Sequence, residues 1–149
     1  MRQRWSSFAI SVGTFAFLYV AAGSLTAQET TSSVLDGVYT DAQAARGADA
    51  YSQNCAVCHG AMLGGIGEAP ALVGPLFVSD FNGLTVGDLF DRIRTTMPLN
   101  APSSLGRDRY ADILAFVLKS NGYPAGQRVL DRRSEFLNTI RFEATKAVP

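Results

Sequence analysis

Apolar positions recur at helical spacing most clearly in the second half of the chain. Tyr110, Ile113, Leu114 and Val117, joined by Phe116 and Leu118, share one face until Asn121-Gly122 and Pro124 stop the pattern. A shorter stripe of Leu89, Phe90 and Ile93 follows Thr85-Val86-Gly87-Asp88, whose threonine and aspartate stand at capping-box spacing, and predicts a helix to about Thr95. A third helix is predicted from Thr40-Asp41-Ala42-Gln43, with Thr40 as N-cap and Gln43 reaching back, through Ala-rich sequence to about Ala56. Gly47 inside it costs roughly 1 kcal/mol relative to alanine, which suggests a close helix crossing. No strand pattern competes, so the chain reads as all-α. The glycine- and proline-rich stretch from Gly60 to Gly83 suits loops rather than any regular element. After Gly126, a short helix is expected from Asp131 to about Asn138. Leu130, Phe136, Leu137 and Ile140 would pack back on the domain, although the segment equally fits a docking role.

The first residues change the picture of where this chain works. Arg2 and Arg4 precede an apolar run from Phe8 to Ala22, and small residues lead to Ala27-Gln28, the arrangement of an export signal over residues 1–27. The run is shorter than the roughly 20 apolar residues of a membrane span and carries polar interruptions, so stable membrane insertion is not expected once it is cleaved. Residues 28–39 read as a flexible leader, 40–126 as one domain and 127–149 as a C-terminal extension. Removing residues 1–27 leaves 11 basic against 13 acidic side chains, a net charge of −2. That balance argues against a nucleic-acid partner, which calls for a concentrated basic face.

Cys55-Ala56-Val57-Cys58-His59 carries the chemistry. C-x-x-C-H is the spacing of covalent c-type haem attachment: two thiols on one side of a helix end reach the two vinyl groups while the next imidazole faces the iron. A zinc site would need further cysteine or histidine ligands, and the sequence has two Cys and one His. A redox dithiol would normally follow a strand, and none is predicted before Cys55. Spacing alone leaves a disulfide open, but a disulfide gives His59 no role. With His59 on the iron, the opposite ligand falls to Met97 in Thr96-Met97-Pro98, because Met62 lies only three residues from His59 and Met1 leaves with the signal. A thioether opposite imidazole favours the ferrous state and closes the iron to substrate, which points to electron transfer rather than catalysis. A haem peroxidase or gas-binding protein would want an open sixth position and a polar distal pocket, and the sequence offers no distal histidine.

The order of these features resembles a class I, mono-haem cytochrome c over roughly residues 40–123: Gly47 and Tyr51 in the first helix, C-x-x-C-H, Pro70-Ala71-Leu72, the Met97-Pro98 pair, and Ile113 and Phe116 in the last helix. The resemblance implies a small helical domain wrapped around one covalent haem c and its iron. It implies that Gly47 and Tyr51 cross Ile113 and Phe116, that the Pro70 carbonyl accepts the Nδ1 proton of His59, and that Leu72 packs on the porphyrin. Arg92 and Arg94 become candidates to neutralise its propionates. More narrowly, Met97 to Leu105, Tyr110 to Phe116 and Asn121 to Gly126 are similar to the cytochrome c domains and subunits of pyrroloquinoline-quinone (PQQ) alcohol dehydrogenases, with Phe81-Asn82-Gly83 departing from an expected tryptophan. That likeness implies a periplasmic carrier, not an enzyme itself, taking electrons from a quinoprotein dehydrogenase and passing them to a downstream oxidase or cytochrome. The alternative within the same resemblance is a haem-containing subunit of a dehydrogenase complex.

Overall fold

A computed structural model describes residues 32–145; the expected export signal lies outside them. The described chain runs β1 (Ser32–Ser33), a 3-10 turn (Val34–Asp36), α1 (Asp41–Asn54), α2 (Ala56–His59), α3 (Pro75–Phe81), α4 (Val86–Thr96), α5 (Arg107–Ser120), α6 (Ser134–Leu137) and β2 (Ile140–Arg141). This is the small all-α architecture the sequence predicts. No described helix is long and apolar enough to cross a membrane.

The frame is the crossing of α1 and α5. A Cβ at Gly47 would lie 1.9 Å from the Asp112 carbonyl oxygen and 2.9 Å from the Phe116 Cβ, so only glycine lets the two backbones approach this closely. Tyr51 and Phe116 then meet at a ring-centroid distance of 5.3 Å, and Arg46 grips the Asp112 carboxylate through two nitrogens at 2.9 and 3.0 Å. Thr40 caps α1 by accepting from the Gln43 amide at 3.2 Å. The other half of the expected capping box is absent. The Gln43 side chain is buried and pairs instead with the Leu130 backbone, donating to its carbonyl at 3.0 Å and accepting from its amide at 2.7 Å. In α4 both halves form, with the Asp88 carboxylate accepting from the Thr85 amide at 2.8 Å and thereby held below its ordinary pKa.

Three expectations need correction. The supposed flexible leader is ordered from residue 32: Val34, Val38 and Tyr39 are buried, β1 pairs in parallel with β2, and the Gly126 amide donates to the Tyr39 carbonyl at 2.7 Å. Its partners lie about a hundred residues away in the sequence, so local periodicity could not reveal them. The 60–83 stretch is not all loop, because Pro75, with its φ preset for a first helical turn, opens α3. Leu130, Leu137 and Ile140 of the tail are buried as expected, whereas Phe136 remains 47% exposed beneath the Arg133 guanidinium, 3.9 Å from its ring centroid. Helix α6 is also shorter than the expected Asp131–Asn138 span.

Candidate functional site

The Asn54–His59 turn places the motif. Cys55 ends α1, and its carbonyl accepts from the Cys58 amide at 3.1 Å and the His59 amide at 3.0 Å, so one tight turn carries both thiols and the imidazole. All three line a single cavity of about 1090 Å³, together with Tyr51, Pro70, Leu72, Phe77, Phe81, Leu89, Arg92, Ile93, Met97, Ile113 and Val117. Cys55, Cys58, His59, Pro70, Leu72 and Met97 therefore line one space.

His59 is 8% exposed, and its Nδ1 lies 2.9 Å from the Pro70 carbonyl oxygen. A carbonyl can only accept, so that contact fixes the proton on Nδ1 and leaves the Nε2 lone pair free for a metal. The loop that supplies the carbonyl is itself held. The Gly65 amide donates to the His59 carbonyl at 2.9 Å, and the Leu72 amide donates to the Leu63 carbonyl at 2.7 Å. Asn121 reaches from the end of α5 to the same loop, donating to the Leu72 carbonyl at 2.9 Å and accepting from the Gly74 amide at 3.1 Å. Sequence reasoning took Asn121 only as a helix stop, since its partners lie 47 to 49 residues away.

Met97 leaves α4 into the cavity wall, and its carbonyl accepts from the Tyr110 hydroxyl at 2.7 Å. The same hydroxyl accepts from the Leu105 amide at 3.4 Å, so Tyr110 gathers both ends of the segment that carries Met97. Tyr110 was legible as an apolar helix position, but not in this polar role. Of the two arginines considered for propionates, Arg92 lines the cavity while Arg94 pairs with Asp91 at 3.2 Å. Met62 is exposed and stands outside the cavity lining. Phe81, where tryptophan was expected, does line it.

The donor set fits a haem and fits the rival chemistries poorly. The cavity is walled mainly by apolar side chains, with two sulfhydryls and an imidazole at one end and a thioether in the wall, as a covalently attached porphyrin requires. Among the described residues no three His, Cys, Asp or Glu side chains group as a metal cluster, against a zinc site. Burial, with a smaller contribution from Cys58, pushes the Cys55 thiol up to about 11, the reverse of the lowered pKa that a redox dithiol uses. Helix α1, not a strand, precedes the pair. Tyr51 closes the inner wall: burial, aided by the charge of Cys55, raises its hydroxyl to about 12, so it stays a donor to the Gly60 carbonyl at 2.7 Å.

Comparison with known proteins agrees with this geometry. The sequence model of the family described as "Cytochrome C oxidase, cbb3-type, subunit III" matches residues 42–117, from the first turn of α1 to the last turn of α5. Among solved structures, the chain is similar to one in the crystal structure of the sulfane dehydrogenase SoxCD from Paracoccus pantotrophus. The identity is 25% and the TM-score 0.51, over 75% of this chain and 60% of that one. No curated protein matches. With more than half its length under the family model and a cavity built for the group that family attaches, the chain belongs to the cytochrome c family and carries covalently bound haem c.

Proposed function

We propose that this protein is a periplasmic one-electron carrier whose single haem is attached through Cys55 and Cys58 and ligated by His59 and Met97, in the manner of class I cytochromes c. The observation that carries the reading is the His59 Nδ1 contact to the Pro70 carbonyl at 2.9 Å in a cavity that Met97 also lines. It presents an imidazole with the correct free nitrogen and offers a second donor of the right kind in the same space. When bound, the haem supplies a reversible one-electron couple. The chain's own part is to orient His59 through Pro70, to hold Met97 through Tyr110, and to surround the porphyrin with Leu72, Phe77 and Leu89 so that water is kept from most of it. Export is supported by the basic start and apolar run of residues 1–27 and by the attachment motif itself, which bacterial cells fill outside the cytoplasm.

Its electrons come from a dehydrogenase, by this reading a PQQ-type quinoprotein, and go to an oxidase or a further cytochrome. The likeness to a chain of a sulfane dehydrogenase supports a dehydrogenase partner in general and favours a second form of the reading, in which the protein is a resident haem subunit of such an enzyme. Gel filtration of native extract separates the two: a carrier, having lost residues 1–27, elutes as a single chain somewhat below the 15.9 kDa of the full sequence, and a subunit elutes with the enzyme.

The ligation is tested with carbon monoxide. The native ferrous protein is expected to bind it poorly, and Met97→Ala to bind it readily with a lowered reduction potential. Equal uptake by both would remove Met97 from the iron and reopen the gas-binding or peroxidase alternative.

A further inference from the structure

The C-terminal extension joins the two sides of the haem cavity without lining it. At one end Leu130 is locked to Gln43 of α1, the helix that runs into the haem motif. Further on, the Ser134 hydroxyl donates to the Asp91 carboxylate of α4 at 2.9 Å, and Asn138 lies so close over Gly87 that a Cβ there would sit 1.9 Å from its side-chain oxygen. After β2 the chain pairs with the entry to α4. The Phe142 amide donates to the Leu84 carbonyl at 2.9 Å, and the Gly83 amide donates back to the Phe142 carbonyl at 2.8 Å. Between these bonds Phe142 is fully buried, edge-on to Phe77 at 6.1 Å and 5.9 Å from Phe81. Those two rings line the haem cavity, and Phe142 does not.

We infer that Phe142 is a positioning residue for the Met97 side of the haem: its ring seats α3 through Phe77 and Phe81, its backbone holds the entry to α4 at Gly83 and Leu84, and together these keep the Met97 thioether on the iron. This rests on the ligation by Met97 proposed above. The physical argument concerns which element is free to move. Helix α1 is fixed to α5 by the Gly47 crossing, whereas α4, which ends at Met97, is bonded at its start, its first turn and its middle to the tail. Releasing the tail therefore leaves the His59 side in place and raises the population in which Met97 is off the iron. An external ligand that binds only that population gains apparent affinity in proportion to it.

The test is imidazole titration of the ferric holoprotein, followed by the absorption band of the iron–thioether bond and by the reduction potential. Phe142→Ala is expected to bind imidazole about tenfold more tightly than the native protein and to have a lower potential, with Phe142→Leu restoring most of both. Gly47→Ala, which strains the α1–α5 crossing without touching α4 or the tail, serves as a variant of reduced stability and is expected to keep the native imidazole affinity. If Phe142→Ala fails to fold, Ser134→Ala, which removes one tie to α4, is expected to show the same direction at smaller size. Imidazole affinity and potential unchanged in the Phe142 and Ser134 variants, or changed equally in Gly47→Ala, would overturn the inference while leaving the ligation intact. A native protein without the iron–thioether band would instead overturn the ligation reading, and the positioning role with it.

Discussion

The two sides of the haem cavity are built in opposite ways. On the His59 side the ligand-bearing turn, its carbonyl partner and the loop between them occupy residues 55 to 72, and most of the bonds that shape them span a dozen residues or fewer. On the Met97 side that residue sits at the end of a helix whose position is set by Tyr110 from α5, by Ser134 and Asn138 from the tail, and by the Phe142 backbone at Leu84 beyond them. A locally built side orders with little loop-closure cost and tolerates change elsewhere in the chain. A side assembled from distant segments is the one that responds to changes elsewhere. On the ligation proposed above, this puts rigidity at the attachment end and adjustability at Met97.

The comparison is broken most completely at the attachment itself. Replacing Cys55 and Cys58 together by serine is expected to abolish the haem that survives denaturation, which a haem-stained denaturing gel reads directly. Haem retained after denaturation by the double variant would show that the local turn is not the attachment site. The next largest effect is on the crossing of α1 and α5. A methyl group at Gly47 would lie 1.9 Å from the Asp112 carbonyl, so Gly47→Ala is expected to cost about 3 kcal/mol in chemical denaturation, the upper end of overpacking penalties. A loss below about 1 kcal/mol would mean that the crossing relaxes easily.

Two polar pins then sharpen the contrast. Asn121→Ala removes the donor to Leu72 and the acceptor for Gly74 on the His59 side, and is expected to cost about 1–2 kcal/mol while leaving the iron–thioether band unchanged. Tyr110→Phe removes the bond to the Met97 carbonyl and the longer one from the Leu105 amide, and is expected to cost only about 1 kcal/mol yet to weaken that band and ease imidazole entry. If Asn121→Ala perturbs the band and Tyr110→Phe does not, the assignment of the two sides is reversed.

The same division explains what could be read in the sequence. Helices α1, α4 and α5 announce themselves through caps and apolar spacing, and the C-x-x-C-H turn through five consecutive residues, because each rests on interactions within a few positions. Met97 is a candidate by composition, few other residues being able to serve as a second axial ligand, and the structure places it in the cavity lining. Gln43 misled because its local option, the capping box, gave way to a buried pairing with Leu130, 87 residues away. Residues 32–39 misled for the same reason, being aperiodic and continuous with a Ser- and Thr-rich stretch yet held by β2 and the chain near Gly126. Phe136 was placed in the core by its apolar character, but the Arg133 guanidinium gives its ring a partner at the surface.

The smallest effect lies in the tail between its two attachment points. Asp131 accepts from the Arg133 amide at 2.8 Å and from two of its guanidinium nitrogens at 2.8 and 3.0 Å. The side-chain bonds from Arg133 lead in drawing its pKa from the ordinary 3.8 down to about 2. Because the folded-state value lies below the unfolded one, the stabilisation is complete above the unfolded pKa and fades as the pH falls from about 4 towards about 2. The groups are largely solvated, so the contribution is small and screened by salt. Asp131→Asn is therefore expected to lower the melting temperature slightly at pH 7, with the difference from the native protein shrinking below pH 4 and gone only once the pH is below about 2. Scans at several pH values, with imidazole affinity measured alongside, give the decisive comparison. A difference in melting temperature as large well below pH 2 as at pH 7 would show that Asp131 acts through packing rather than charge. A shift in imidazole affinity as large as that of Phe142→Ala would mean that the hold on α4 depends on the turn at Asp131 and not on the aromatic contact beyond it.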